Sequence, residues 1–323
     1  MKDSVLITGG TGFVGQNFWN YIKKHPELIK KFAFHRFLSK EYDLLKLENC
    51  AKLMVKYKPK YVIHLAALCG GIGANQMNPA RFWSHNLVMA TNLFDACAEY
   101  KVQKIITLGT VCSYGKFAKV PFTEDQLYCE WPEITNRPYG VAKLAMYEGL
   151  RAYNSQFNMD FSYLIPTNMY GPHDHFTTQS SHVIPALLVK MMKAVMKKDD
   201  SVMLWGDGTP TRDFLYAEDT AKAITLALET DTGTQPINLG TGEEMSMKGL
   251  AELIANVTGF KGGMIWNANM PNGQPRRCVD WSRAKEVLKW TPEVGLYDGI
   301  KRTYDWAKEL TNKDKPDEQK EKE

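Results

Sequence analysis

Along the first half of the chain, short apolar runs alternate with longer amphipathic stretches. Ser4-Val5-Leu6-Ile7-Thr8 has an unbroken apolar centre and predicts a buried strand, followed by an amphipathic stretch through Tyr21. A second strand is expected at Phe32 to Leu38. A helix is then opened by Asp43-Leu44 and runs through Tyr57, with Pro59 as its stop. Tyr61-Val62-Ile63-His64-Leu65-Ala66-Ala67 reads as the third strand, and Pro79 to Tyr100 as a long helix rich in Phe, Trp, Leu and Met. The strand Lys104-Ile105-Ile106-Thr107-Leu108-Gly109 follows, then a helix carrying Tyr139 and Lys143 to Gln156, then a strand at Phe161 to Ile165. Strands alternating with helices in this way predict an α/β fold, a Rossmann-type doubly wound parallel sheet.

The first strand runs into Gly9-Gly10-Thr11-Gly12-Phe13-Val14-Gly15. In this position Gly9 permits the tight strand-to-helix turn and Gly12 lets a diphosphate approach the backbone. Gly15 lets helix and strand pack closely, with phosphate at the helix N-terminus. Dinucleotide binding is therefore expected, with Phe13 and Val14 beside the cofactor. An acid at the end of the second strand would select NAD by binding the ribose 2′-hydroxyl, whereas a basic residue pairs with the 2′-phosphate of NADP. Arg36, Ser39 and Lys40 stand there, which tips the expectation to NADP(H) over a merely solvated turn. Leu65 and the small Ala66 and Ala67 would let the cofactor pass close to the third strand, and His64 reads as a packed residue.

Composition narrows the class. The 323 residues are 44% hydrophobic and 24% charged, with a dispersed formal net charge of +4, which argues against nucleic acid as the partner. Six cysteines (Cys50, Cys69, Cys97, Cys112, Cys129, Cys278) show no CxxC spacing and read as reduced thiols of a cytoplasmic protein with no metal site. Neither a leader-like segment nor an apolar run long enough to span a membrane is seen. Asn312 to Glu323 mixes Lys, Asp and Glu without apolar anchors and is expected to be a disordered tail.

Tyr139 and Lys143 are four apart in Arg137-Pro138-Tyr139-Gly140-Val141-Ala142-Lys143-Leu144-Ala145, so on a helix they share a face. A lysine there is expected to lower the phenol's pKa and make the tyrosine a proton donor and acceptor near neutral pH. The spacing alone also occurs by chance on solvated helices.

Together, the glycine loop, Thr110 and the Tyr139/Lys143 pair resemble the extended short-chain dehydrogenase/reductase superfamily. Four longer stretches resemble the GDP-L-fucose synthase family, the 3,5-epimerase/4-reductases of GDP-4-keto-6-deoxymannose. They are Cys69-Gly70-Gly71-Ile72-Gly73-Ala74-Asn75, Pro166-Thr167-Asn168-Met169-Tyr170-Gly171-Pro172-His173-Asp174, Ser181-His182-Val183-Ile184-Pro185-Ala186-Leu187, and Val202 to Pro210 with Arg212. The likeness continues through Asn238-Leu239-Gly240-Thr241-Gly242 and Pro271-Asn272-Gly273-Gln274-Pro275-Arg276-Arg277. It implies epimerisation at C3 and C5 of a 4-keto sugar, with Cys112 and His182 as the base and acid. It then implies hydride transfer to C4, with Tyr139 as proton donor, Lys143 on the nicotinamide ribose and Thr110 on the carbonyl. Where the family usually has serine, this chain has Thr110, and Val111 replaces a further serine. The resemblance also implies cofactor contacts at Pro166, Asn168 and His182. The GDP-sugar would be bound by Asn168, Val183, Lys190, Trp205, Arg212 and Arg277.

The implied architecture is a cofactor domain of residues 1–165 plus 214–240 and a smaller α/β C-terminal substrate domain of 166–213 plus 241–308. The resemblance further implies a homodimer pairing through the helices near 80–100 and at Tyr139. Rival readings are a C4 reductase of a related GDP-4-keto-deoxyhexose or GDP-4-keto-heptose with little epimerase activity, a 4-epimerase, and a non-enzymatic dinucleotide sensor. A 4,6-dehydratase is disfavoured, since an Asp-Glu pair would follow the threonine and Val111-Cys112 stands there.

Overall fold

The computed structural model describes residues 2–176 and 181–313. The elements begin β1 (Asp3–Thr8), α1 (Phe13–Lys24), α2 (Pro26–Lys31), β2 (Phe32–Arg36), α3 (Leu47–Tyr57), β3 (Tyr61–His64), α4 (Ile72–Met77) and α5 (Pro79–Glu99). They continue β4 (Lys104–Leu108), α6 (Arg137–Phe157), β5 (Asp160–Pro166), β6 (Asn168–Tyr170), α7 (Val183–Lys197), β7 (Ser201–Trp205), β8 (Thr211–Arg212) and β9 (Phe214–Tyr216). The rest are α8 (Ala217–Glu229), β10 (Ile237–Leu239), β11 (Met245–Ser246), α9 (Met247–Thr258), β12 (Gly263–Asn267), β13 (Arg276–Arg277), α10 (Ser282–Leu288) and α11 (Leu296–Lys313).

Six parallel strands form the central sheet in the order β10-β5-β4-β3-β1-β2. The expected doubly wound sheet is thus present, with apolar side chains on both faces, as a parallel sheet covered by helices requires. On one face α3, α5 and α6 bury Leu53, Leu93, Met146 and Leu150 against Leu6, Val62 and Ile105. On the other, α1 and α8 bury Phe18, Ile22, Ile224 and Leu228 against Val5, Ile7 and Ile63. A separate core gathers Ile184, Leu188 and Met191 of α7, Leu250 and Ile254 of α9, Ile300 of α11, and strand residues Val202 and Phe214.

Several boundaries differ from the sequence reading. The third helix starts at Leu47, because Asp43 instead turns the chain by accepting from the Leu45 amide at 3.0 Å. The second strand ends at Arg36 and the third at His64, so Leu65-Ala66-Ala67 lie beyond the sheet. Helix α2 fills a segment read as connection, opened by Pro26 at its first position. Ala284, Leu288 and Trp290 pack with Val5 and Ile7 of the large sheet rather than with the α7–α9 core. Residues 281–290, expected in the substrate portion, therefore lean on the cofactor sheet. Most of the tail expected from 312 onward lies outside the described residues. No helix among the described residues is long and apolar enough to cross a membrane.

The start of the loop after β3 is fixed by a buried amide. Asn86 of α5 accepts from the Leu68 amide at 3.0 Å and donates to the Leu68 carbonyl at 3.0 Å and the Phe82 carbonyl at 2.6 Å. Replacing Asn86 with Leu strands the Leu68 groups, at a cost of about 1–3 kcal/mol. A lowered urea midpoint with unchanged slope is the expected result, and an unchanged midpoint would contradict it.

Candidate active site

The glycine loop has the geometry a diphosphate requires. Gly9 adopts φ +66°, and a Cβ there would sit 2.5 Å from the Ala66 amide nitrogen. A Cβ on Gly15 would lie 2.2 Å from the Gly9 carbonyl oxygen, so only glycine lets α1 approach β1 this closely. The N-cap residue Gly12 offers no side-chain bond and the first turn has no acid, which leaves the amides of Phe13 and Val14 available to an anion. Ala66 is held to β1 by its amide bond to the Thr8 hydroxyl at 3.3 Å, which keeps the Leu65-Ala66-Ala67 segment beside the loop.

Arg36 ends β2 directly over this loop. Its guanidinium donates to the Gly10 carbonyl at 3.4 Å and stacks on Trp19 at 4.5 Å. Ser39 and Lys40 occupy the exposed turn beyond, and Glu41 is engaged with the Leu38 amide at 3.4 Å. The strand end therefore presents the positive charge of Arg36 over the loop, with Glu41 bonded to the Leu38 amide, which suits a ribose 2′-phosphate. These residues fit NADP(H).

Helix α6 meets the turn after β4 without an intervening side chain. A Cβ on Gly140 would lie 2.4 Å from the Cys112 carbonyl oxygen, and the Ser113 hydroxyl donates to the Gly140 carbonyl at 2.9 Å. This contact brings Thr110, Cys112, Tyr139 and Lys143 together. Thr110 accepts from the Cys112 amide at 3.2 Å, which leaves its hydroxyl proton to donate. Lys143 is buried and donates to the Leu108 carbonyl at 3.0 Å; burial brings its pKa down to about 8.

The expected lowering of the Tyr139 pKa does not appear. Burial, then the nearby Cys69 and Cys112, push the phenol well above its ordinary value, while the Lys143 ammonium is turned to a backbone carbonyl. Tyr139 is thus held in its proton-bearing form.

Cys112 has cationic and amide neighbours that the sequence did not reveal. The Arg277 guanidinium donates to its sulfur at 3.5 Å and the Asn136 amide at 3.2 Å. Arg277 also donates to Asn168 at 3.3 Å and Gln274 at 3.2 Å. It lies directly opposite Arg212 in the β8–β13 pairing, whereas Arg276 turns outward to Glu244. Arg212 is buried, and burial, then repulsion from Arg277, lower its pKa to about 9. Two adjacent guanidiniums bonded to backbone carbonyls, two side-chain amides and a thiol form a receptor for an anion.

His182 precedes α7 as its N-cap residue. Its Nδ1 lies 3.0 and 3.1 Å from the two carboxylate oxygens of Asp174, whose side chain is fully buried. Its Nε2 is 3.8 Å from the Cys69 sulfur. Burial opposes charge on the ring, but the bonds to Asp174 and Cys69 outweigh it and raise the His182 pKa well above the usual range. No spacing in the sequence assigns a role to Asp174, Asn136 or Cys69. His64 is buried and bonded to the Thr8 hydroxyl at 2.8 Å; burial, then Lys143, drive its pKa down to about 3, consistent with a packed neutral ring.

The remaining candidates are more peripheral. Pro166 ends β5, and Asn168 is fixed by its bond to the Asp213 carbonyl at 2.7 Å. Val183 begins α7. Lys190 donates to the Met203 carbonyl at 2.5 Å, and Trp205 is exposed at the end of β7. No cluster of potential metal ligands occurs among the described residues.

A phosphate-binding glycine loop beside a buried Tyr/Lys pair defines a dinucleotide-dependent oxidoreductase. Residues 5–240 match the NAD dependent epimerase/dehydratase family. The chain is 37% identical to GDP-L-fucose synthase 1 of Arabidopsis thaliana, covering 94% of this chain and 92% of that protein. It is 35% identical to the Escherichia coli GDP-L-fucose synthase, covering 97% and 98%. Among solved structures it is similar to a GDP-L-fucose synthetase from Naegleria fowleri bound to NADP (TM-score 0.85, 28% identity, 97% of this chain and 96% of that one). A GDP-6-OMe-4-keto-L-xylo-heptose reductase from C. jejuni is also similar (TM-score 0.88, 27% identity, 96% and 98%). The chain belongs to the NAD dependent epimerase/dehydratase family and, within it, to the GDP-L-fucose synthase family.

If Arg36 reads the 2′-phosphate, Arg36→Ala loses a charge-assisted contact of about 1.5–3 kcal/mol, or roughly 10–100-fold in NADPH affinity. NADH affinity should change little. Fluorescence titration of both nucleotides checks this, and equal losses for the two would contradict it.

Proposed function

We propose that the protein is an NADPH-dependent epimerase/reductase of a GDP-4-keto sugar, acting on GDP-4-keto-6-deoxymannose to give GDP-L-fucose. The observation that carries this reading is the convergence of two acid/base groups on the Tyr139 site. Cys112 has the Arg277 cation at its sulfur, and His182 has its Nδ1 held by the Asp174 carboxylate. Simple reduction needs only the tyrosine.

The C4 carbonyl makes hydrogens at C3 and C5 acidic, because the enolate delocalises onto O4. Cys112 removes such a proton, with the Arg277 guanidinium and the Asn136 amide at its sulfur. His182 returns a proton from Nε2, since Asp174 faces Nδ1. The Thr110 hydroxyl donates to O4 as charge develops there. NADPH, when bound, supplies the hydride for C4. Tyr139 then gives its proton to the oxygen, and the buried Lys143 would hold the nicotinamide ribose. Arg212 and Arg277 meet the diphosphate, while Trp205, Lys190, Val183 and Asn168 border the nucleotide and sugar.

Two lobes share this work, a sheet that takes the cofactor and a smaller α/β portion that takes the sugar nucleotide. A homodimer through α5 and α6 is favoured by the exposed Trp83 and Val88 on α5. A cytoplasmic setting suits the six free cysteines. C4 reduction of a related GDP-4-keto-heptose without epimerisation is the second reading, favoured by the likeness to the heptose reductase.

Proton exchange at C3 and C5 in deuterated water without NADPH separates the two, since only an epimerase catalyses it. Tyr139→Phe should slow NADPH oxidation about 10²–10⁴-fold while exchange continues. Cys112→Ser should abolish exchange. Exchange that survives in Cys112→Ser removes the assigned base, and no NADPH oxidation with GDP-4-keto sugars removes the reductase.

A further inference from the structure

Cys69 lies on the loop between β3 and α4, and that loop is locked on both sides. Asn86 holds Leu68 through its amide and carbonyl, and the Asn75 side chain donates to the carbonyls of Gly70 at 2.8 Å and Gly71 at 3.1 Å. Opposite, a Cβ on Gly71 would sit 2.7 Å from the Ser181 carbonyl oxygen, so the loop packs against the residue preceding His182. The Cys69 sulfur is thereby placed 3.8 Å from His182 Nε2, on the ring edge away from Asp174.

We propose that Cys69 works as a thiolate paired with the His182 imidazolium in an Asp174–His182–Cys69 row, close enough to Tyr139 for its charge to act on both proton donors. Its single negative charge keeps both His182 and Tyr139 in the proton-bearing form that each needs as an acid. It acts through these two residues and is a positioning residue for the reaction proposed above.

The charged groups facing this row agree with that assignment. His182 is faced by Asp174 and Cys69; Cys69 by His182, Tyr139 and Lys143; and Tyr139 by Cys69, Cys112 and Tyr163. Crowding of the Cys69 sulfur works against its ionisation, but His182, then Tyr139 and Lys143, hold the thiol below its ordinary range. The same charge raises His182 and Tyr139. Only proton position changes within the row, so no oxidant or reductant is required.

The sign of the pH effect follows. An acid works only while protonated, so the alkaline limb of the rate marks its loss, and a raised pKa carries that limb upward. Removing the Cys69 charge lowers both His182 and Tyr139, so the limb moves to lower pH in Cys69→Ser and Cys69→Val alike.

Two measurements test the proposal. On the free enzyme at about pH 6.5, an ordinary thiol is only about 1% thiolate. Iodoacetamide followed by peptide mass mapping should therefore label Cys69 at least about tenfold faster than the exposed Cys129, a gap that narrows in Asp174→Asn. Cys69 labelling no faster than Cys129 overturns the proposal. In the exchange assay, both Cys69 variants should shift the alkaline limb down by about one pH unit, in the range of measured single-charge effects. An unshifted limb in either variant overturns it, because serine retains shape and hydrogen bonding but not charge. The labelling needs no sugar substrate, so its outcome is independent of the substrate assignment.

Discussion

The close contact between Gly140 and the Cys112 carbonyl is the constraint on which the site depends. A helix can rest this near a neighbouring turn only where no side chain intervenes, and the residue on the helical side is glycine. Tyr139 is its neighbour in sequence, Lys143 lies one turn further on, and Thr110 and Cys112 belong to the opposing turn. One missing methyl group thus sets the spacing of four reactive side chains. Burial of Tyr139 against Phe82 and Ala74, and of Lys143 beneath β4, follows from the same approach.

Around this contact the protein gathers positive charge that Glu133 and Glu244 beside Arg212, and Cys69 near Lys143, offset only in part. Lys143 and Arg212 are both buried, with pKa values brought down by burial, and Arg277 stands beside Arg212. Such an arrangement costs stability in the free protein, since a buried charge bonded mainly to carbonyls loses more hydration than it regains. A sugar nucleotide and a dinucleotide phosphate would relieve that cost. Strain of this electrostatic kind is common where a binding site must wait for an anion.

Much of the sheet was legible because buried parallel strands read as apolar runs, and the glycine loop because its spacing follows from backbone geometry. Thr110, Cys112, Tyr139 and Lys143 lie around one contact, and His182 reaches the same region through Cys69. What escaped was whatever depends on distant chain segments. Arg277 reached Cys112 only because β13 pairs with β8, a partnership between two-residue strands that leaves no periodic trace. Asp174 and Cys69 were visible as residues, but nothing in their spacing said that one imidazole would lie between them. The Tyr139 pKa was misjudged for a related reason. Helical spacing predicted the lysine's proximity, whereas burial and two thiols from other elements decide the balance. Trp290 likewise escaped, packing beneath the sheet with its indole donating to the Asp219 carbonyl at 2.9 Å.

The position of β10 at the sheet edge has a consequence for how the chain can be assembled. Strands β1 to β5 are complete by Pro166, yet the strand beside β5 arrives only at Ile237–Leu239, after α7, β7 and β8 have been made. A chain emerging N-terminus first must hold an open, apolar β5 edge through some seventy residues of synthesis, on the order of several seconds at ordinary elongation rates. Severing the molecule after Pro166 would leave that edge permanently bare. The two cores are separate in space but not in sequence, so neither can be released as an independent folding unit by a single cut.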